Sequence, residues 1–359
     1  MSNTTYKLFA DKMGGTNAND FIGNAGDIFY DPESTSLRIS NGDQGGVTLG
    51  GGTVALDINA SLYIGGGGTY NTTGGENYAI GDNALYSNTE GVGNIALGND
   101  ALNHNTAGGV NIAIGDYTLF NNTSGWNNIA IGDVALTSNT GGSNNIATGG
   151  AALYHNTTGN YNIATGYRAL LSNTTGNENI ATGTEALFNN TTGNNNIATG
   201  SDALFSNTTG EYNIATGLEA LYSNTTGEYN IATGPWALYS NTTGNYNIST
   251  GYQALYSNTT GSWNVATGDN ALVSNTTGNY NVAVGSQGLM GNESGNYNTT
   301  LGYFAGQSIT TGSNNTIIGN LGGSSTLSDT VLIGAGTTER IKVDAAGLWV
   351  NGVLAFATP

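Results

Sequence analysis

A strict internal repeat constrains this chain more than any other feature. Taking the Asn of Asn162-Ile163-Ala164-Thr165-Gly166 as position 1, Asn recurs there with a period of 17 from Asn77 to Asn315, in 15 copies without a slip. Gly occupies position 5 in every copy, from Gly81 to Gly319, and position 15 from Gly74 to Gly312. Leu holds position 9 from Leu85 to Leu289, and Asn holds position 12 from Asn88 to Asn292. The consensus is Asn-Ile-Ala-Thr-Gly-x-x-Ala-Leu-Tyr-Ser-Asn-Thr-Thr-Gly-x-Tyr. A unit repeated so faithfully makes the same contacts to each neighbour, so the fold is built by stacking one element on itself.

Two Gly in every repeat, with abundant Asn and Thr, oppose a helical unit. Asn-x-Thr-Thr-Gly is turn chemistry. Between the turns lie Asn-Ile-Ala-Thr and Ala-Leu-Tyr-Ser, each of strand length. The expectation is an all-β parallel β-solenoid (β-roll or β-helix) of 15 coils, with two short strands and two turns per coil. Both Gly columns are expected at corners with positive φ. The Asn columns at positions 1 and 12 are expected to form side-chain ladders, as in cross-β stacks. Chains that stack separately at about 4.8 Å per coil would extend on the order of 70 Å.

Position 4 is Ile80, Leu97, Ile114 and Ile131, then Thr in eight copies from Thr148 to Thr267, then Val284, Leu301 and Ile318. A β-branched column of this kind, sharing a face with the mostly Ile position 2, is expected to point inward. Ala at position 3 then points the other way, toward another surface. The apolar side chains of one coil fall short of offsetting the ordering of its residues. A second buried face between chains, most simply in a homotrimer with the Ala face or the Ala-Leu strand near its axis, is therefore expected.

Only 24 Asp plus Glu and 6 Lys plus Arg are present, 8% of the chain where about 25% is usual. Like charges stacked in register would repel, which suits a repeat written in Asn, Thr and Gly. With so few cations and a net charge of −18, no nucleic-acid partner is expected. The absence of Cys excludes disulfides and cysteine metal sites. No apolar run reaches the length of a membrane span.

Four segments are expected: an N-terminal β-hairpin attachment module at 1–52, a Gly-rich transition at 53–70, the repeats at 71–323 and a C-terminal β cap at 324–359. The hairpin is read from Ile28-Phe29-Tyr30-Asp31 and Leu37-Arg38-Ile39 around a turn. In the cap, Thr330–Gly334 and Glu339–Asp344 alternate as strands, and Asn351-Gly352 reads as a turn.

The segment Phe21-Ile22-Gly23-Asn24-Ala25-Gly26-Asp27-Ile28-Phe29-Tyr30-Asp31-Pro32, with Leu37-Arg38-Ile39-Ser40-Asn41-Gly42, resembles an N-terminal module of phage tail fibres and related structural proteins. The Asn-Ile-Ala-Thr-Gly-x-x-Ala-Leu repeats resemble those of phage fibres. They are also similar to the head repeats of trimeric autotransporter adhesins, which form trimeric β-rolls. Glu339-Arg340-Ile341-Lys342-Val343-Asp344-Ala345-Ala346-Gly347 resembles the stretch ahead of a self-cleaving intramolecular chaperone. With the chain ending at Pro359, that chaperone is expected either to have been removed after assembly or never to have been present. The resemblance implies a virion fibre docked by its N-terminal module to other virion proteins and meeting a host glycan or protein. A bacterial extracellular filament or adhesin is the alternative, disfavoured because neither a signal peptide nor a C-terminal barrel pattern is read. An ice-binding solenoid is a third reading; its Thr columns favour it, and an inward position 4 opposes it.

No enzymatic site, cofactor or metal is expected. His104 and His155 share position 11, where a three-fold axis would bring three His together, but they read better as polar replacements for Ser or Asn. The acids, among them Asp82, Asp116, Asp133, Asp202, Asp269, Glu211 and Glu228, read as scattered surface groups. The best binding candidates are the aromatics, above all those of position 17: Tyr161, Tyr212, Tyr229, Tyr246, Trp263, Tyr280 and Tyr297; Tyr222, Tyr239 and Tyr256 share position 10, and Trp236 occupies position 7. An exposed column of these could stack on sugar rings, or the rings could stack on one another between coils.

Overall fold

Each repeat contributes one three-residue strand at positions 2–4, and the strands pair in parallel and in register with the next coil. The computed structural model describes residues 74–357 and, before them, four strands: β1 (Ile28–Asp31), β2 (Ser36–Ile39), β3 (Thr53–Leu56) and β4 (Leu62–Gly65). The rest of the expected attachment module, including Phe21–Asp27, lies outside the described residues. The fold is an all-β parallel β-solenoid of fifteen coils, with no helix among the described residues.

The chain falls into two units, Met1–Asn160 and Tyr161–Pro359. In the first, β1 and β2 form the antiparallel hairpin read from the sequence, with Ile28 opposite Ile39. β3 pairs with β4 antiparallel, and β4 begins the parallel stack by pairing with β5 (Tyr78–Ile80). Four further coil strands follow, ending at β9 (Ile146–Thr148). The second unit holds ten coil strands, β10 (Ile163–Thr165) to β19 (Thr316–Ile318), paired so that Ile meets Ile and Ala meets Ala in successive coils. β20 (Val331–Ala335) pairs in parallel with β19, and β21 (Thr338–Asp344), β22 (Gly347–Val350) and β23 (Val353–Ala357) continue as an antiparallel meander. Asn351 (φ 49°) and Gly352 (φ 76°) make the β22–β23 turn, both left-handed as a two-residue hairpin requires.

Inside and outside are reversed from the sequence expectation. Ala at position 3 is buried within the coil, as Ala164, Ala181 and Ala198 show, while positions 2 and 4 face outward. So short a coil is narrow, and the Ala at position 8 and the Leu at position 9, such as Ala203 and Leu204, already fill its interior. Only a small side chain fits opposite them. The Ala column therefore is not the surface that meets another chain.

The second expected strand is absent. Positions 8–11 turn, with Leu204 at φ 54° just after Asp202 at φ 56°, and the pattern recurs coil after coil. A left-handed Leu costs on the order of 1–2 kcal/mol, but the ladder over-determines it. Leu204 N–H donates to Ala220 O of the next coil (2.9 Å) and Ser206 N–H to Tyr222 O (2.9 Å). The coil is thus hydrogen-bonded to its neighbours nearly all the way round, including where it is not a strand.

The Gly columns differ from each other. Position 5 is left-handed as expected, with Gly200 at φ 135°. Position 15 is not; it is Gly because of crowding. A Cβ on Gly193 would collide with Gly210 O of the next coil and with Asn190 Oδ1.

Both Asn ladders form. At position 1, Asn196 directs both its backbone N–H (3.0 Å) and its Nδ2 (3.2 Å) to Asn179 Oδ1 one coil back. At position 12, Asn207 Nδ2 donates to Asn190 Oδ1 at 2.8 Å. The ladders converge, because Gly210 O accepts from Asn196 Nδ2 (2.8 Å) and Asn207 Nδ2 (3.0 Å). The interior is thus partly polar, yet its amides are satisfied, Asn292 Oδ1 excepted. Where a polar residue replaces Ala it is satisfied as well: Ser249 Oγ donates to Ala254 O at 2.7 Å.

Candidate functional site

Two outward features repeat often enough to form surfaces. The first is the position 17 aromatic column. Each of these residues is left-handed, with Tyr212, Tyr229 and Tyr246 at φ 56°, which lifts the side chain off the coil into solvent. Six consecutive coils bring Tyr212, Tyr229, Tyr246, Trp263, Tyr280 and Tyr297 into one stack. Centroid spacings are 4.9, 4.9, 4.1, 6.2 and 4.9 Å, and planes lie within 11° of parallel. Tyr161 stands apart from this stack, with Glu178 and Asn195 at position 17 of the intervening coils. The inner rings therefore offer edges and hydroxyls, their faces being taken by neighbouring rings. Open ring faces remain only at the ends of the stack and at isolated Tyr161, which is 60% exposed.

Asn194 Nδ2 donates to Glu211 Oε1 at 2.8 Å at position 16, so acids line this column. Burial in the stack, followed by the neighbouring Tyr212 and Tyr246 and then Glu228 and Glu211, pushes the Tyr229 phenol above its ordinary value. Position 10 carries a second stack, which extends the expected Tyr222, Tyr239 and Tyr256 column back to Phe188 and Phe205. Phe188, Phe205, Tyr222, Tyr239 and Tyr256 lie 5.0, 5.1, 5.2 and 5.0 Å apart, half-buried, and within 9° of parallel. Burial and then Glu219 raise the Tyr239 phenol. The signal for both stacks was present in the sequence as aromatics one period apart.

The second feature is the outward face of the coil strands. Columns 2 and 4 carry Ile, Val, Leu, Thr and one Tyr, and no charged residue, from Tyr78 to Ile318. Ile214, Ile231 and Ile248 are 37–41% exposed and Leu301 is 51% exposed. In each unit this is apolar and hydroxyl-bearing sheet with no covering layer among the described residues.

His104 is exposed, with Nδ1 3.2 Å from Asn121 Oδ1 and its ring edge-on to Phe120, and His155 packs edge-on to Tyr154. Among the described residues no three His, Asp or Glu side chains converge to hold a metal ion. No described helix is long and apolar enough to cross a membrane. Comparison with protein-family models, with curated proteins and with solved structures finds no match to this chain.

Proposed function

We propose that this chain is a non-enzymatic structural fibre protein of a phage virion, a tail fibre or related appendage. In this reading it attaches by its N-terminal end, trimerises along its solenoid and presents a stiff shaft for adhesion to a host surface. The observation that carries it is the charge-free outward face of columns 2 and 4. Apolar surface repeated on coil after coil without a covering layer marks an interaction surface. A second copy of the same face supplies a partner with the same period. The axis then lies beside Ile, Val and Thr, and the Ala column stays inside each chain. The resemblance of the repeats and of both ends to phage fibres assigns the setting. Host contact falls to the aromatic flank, where Tyr161, Tyr212 and Tyr297 offer open faces for a sugar and the inner rings offer hydroxyls and edges.

Sedimentation of the full chain tests the assembly: three chain masses are expected, and a single mass near 36.5 kDa overturns it. A glycan array tests adhesion, with binding expected to fall on Tyr297→Ala and to be absent for every glycan if the reading is wrong.

One observation favours a second reading. Because position 4 faces outward, its Thr run from Thr148 to Thr267 is a regular solvent-facing hydroxyl and methyl array, which an ice-binding surface requires. A thermal-hysteresis measurement showing no ice shaping removes this reading.

A further inference from the structure

The position 17 stack places phenol rings on adjacent coils as near-translated copies of one another. The pairs Tyr212–Tyr229, Tyr229–Tyr246 and Tyr280–Tyr297 are each 4.9 Å apart between centroids, with planes 6°, 1° and 1° from parallel. Translation brings each reactive ring carbon, the one beside the hydroxyl, alongside its counterpart on the next coil. Exposure of 41–58% leaves these ring edges open to a dissolved reagent. Trp263 interrupts the series, so the column contains a run of three tyrosines and a separate pair.

We propose that this column is a site of oxidative tyrosine cross-linking, in which dityrosine bonds staple each coil to the next within one chain. The co-reactant is a one-electron oxidant, such as the high-valent haem of a peroxidase. Two neighbouring phenols each give one electron to the oxidant and one proton to solvent. The two phenoxyl radicals couple through a carbon–carbon bond between the ring positions beside each oxygen. Each ring then regains aromaticity as the hydrogen on its bonded carbon leaves as a proton and its oxygen takes one up. The sum is loss of two electrons and two protons, with both hydroxyls retained.

The stack favours this outcome in two ways. Burial, then the neighbouring rings and acids, raise the Tyr229 phenol, so its oxidation releases a proton on the spot. A radical formed on one ring already has its coupling partner in contact, so coupling within the chain outruns encounter with another molecule. Chemically closed coils would resist unravelling from either direction, because unfolding of a stacked repeat propagates coil by coil. The half-buried run Tyr222–Tyr239–Tyr256 has the same geometry and is expected to cross-link with the same offset. Cross-linking of this kind does not depend on the fibre reading.

The test uses the full chain at high dilution with photoexcited ruthenium tris-bipyridine and persulfate, followed by digestion and mass spectrometry. Dityrosine fluorescence is expected in the band of unchanged chain mass. Linked peptides are expected to join tyrosines one repeat period apart in sequence. Tyr229→Phe keeps the ring in the stack and is expected to abolish both links made by Tyr229 while the Tyr280–Tyr297 link persists, which also reports that the variant is folded. The proposal is overturned if no dityrosine forms, if it forms only between chains, or if Tyr161, Tyr252 and Tyr303 enter links as often as the stacked residues.

Discussion

Asn292 holds the one buried side-chain oxygen that lacks a hydrogen-bond partner among the described residues. The reason lies one coil on. Each ladder Asn accepts at Oδ1 from the Nδ2 of the following coil, and after Asn292 that place is taken by Ile309, which has nothing to donate. The ladder thus predicts unequal costs for one substitution. Asn207→Ala leaves Asn190 Oδ1 buried without a donor, at about 1–3 kcal/mol, and removes one of the two acceptors of Asn224 Nδ2, the other being Gly227 O. Asn292→Ala loses its bond to Asn275 Oδ1 but also removes the orphaned oxygen, so it is expected to cost less. Denaturant unfolding of the two variants checks the order; equal costs would mean that the amides do not couple along the column. Charge matters less at this scale. Arg168, the one cation of the coils, pairs with Glu185 at 3.5 Å on side chains that are 44% and 27% exposed. Its removal is expected to shift stability by under about 1 kcal/mol.

An element here is one whole coil, and its length is the quantity that must be conserved. Deleting residues 213–229 removes one full period and sets Asn230 directly after Tyr212. Both ladders, the strand register and the Gly columns re-form, so a folded chain is expected. Deleting residues 213–221 brings position 10 to where position 1 belongs, and is expected to lose cooperative unfolding. Circular dichroism and denaturant titration of the pair separate the outcomes. The C-terminal meander responds differently to pH. Asp344 accepts from Lys342 Nζ at 2.8 Å, from Trp349 Nε1 at 3.2 Å and from Ala346 N–H at 2.9 Å. The hydrogen bond from Lys342, with those from Trp349 and Ala346, holds the Asp344 carboxyl below the usual carboxylate range. Because the folded value is depressed, this contribution is present above the ordinary Asp range and disappears as pH falls through the lowered value. The coil ladders are uncharged amides and have no such dependence. Hydrogen exchange in acid is therefore expected to quicken in β21 and β22 before the coils; simultaneous loss would contradict this.

For the whole molecule the governing feature is the outward sheet face. A lysine at an exposed position of that face costs an isolated chain little, whereas between chains it becomes a buried unpaired charge. For the trimer proposed above, the double variant Thr216→Lys with Thr233→Lys is expected to shift sedimentation from three chain masses to one, near 36.5 kDa, with the β-sheet circular dichroism signal unchanged. Retention of the assembled mass would place the contact on another face.

The sequence by itself determined the architecture, because a period of 17 held without a slip admits only a stack of equivalent coils, and its invariant Asn columns announce their ladders. It also marked the β1–β2 hairpin, the antiparallel strands after the coils and the Asn351-Gly352 turn. Which way the coil strand faces was decided only in three dimensions. Alternation separates position 3 from positions 2 and 4 but does not say which side is inside. The usual preference for Ile over Ala in a core points the wrong way, because the coil is too narrow for a larger side chain opposite Leu at position 9. The near-constancy of Ala at position 3, against free exchange of Ile and Thr at position 4, was the available signal. The left-handed Leu column was likewise hidden: its conformation is imposed by hydrogen bonds to the next coil, and no local propensity of Leu predicts it. The aromatic period was legible, but that its rings cover one another's faces follows from the stacking distance of the coils.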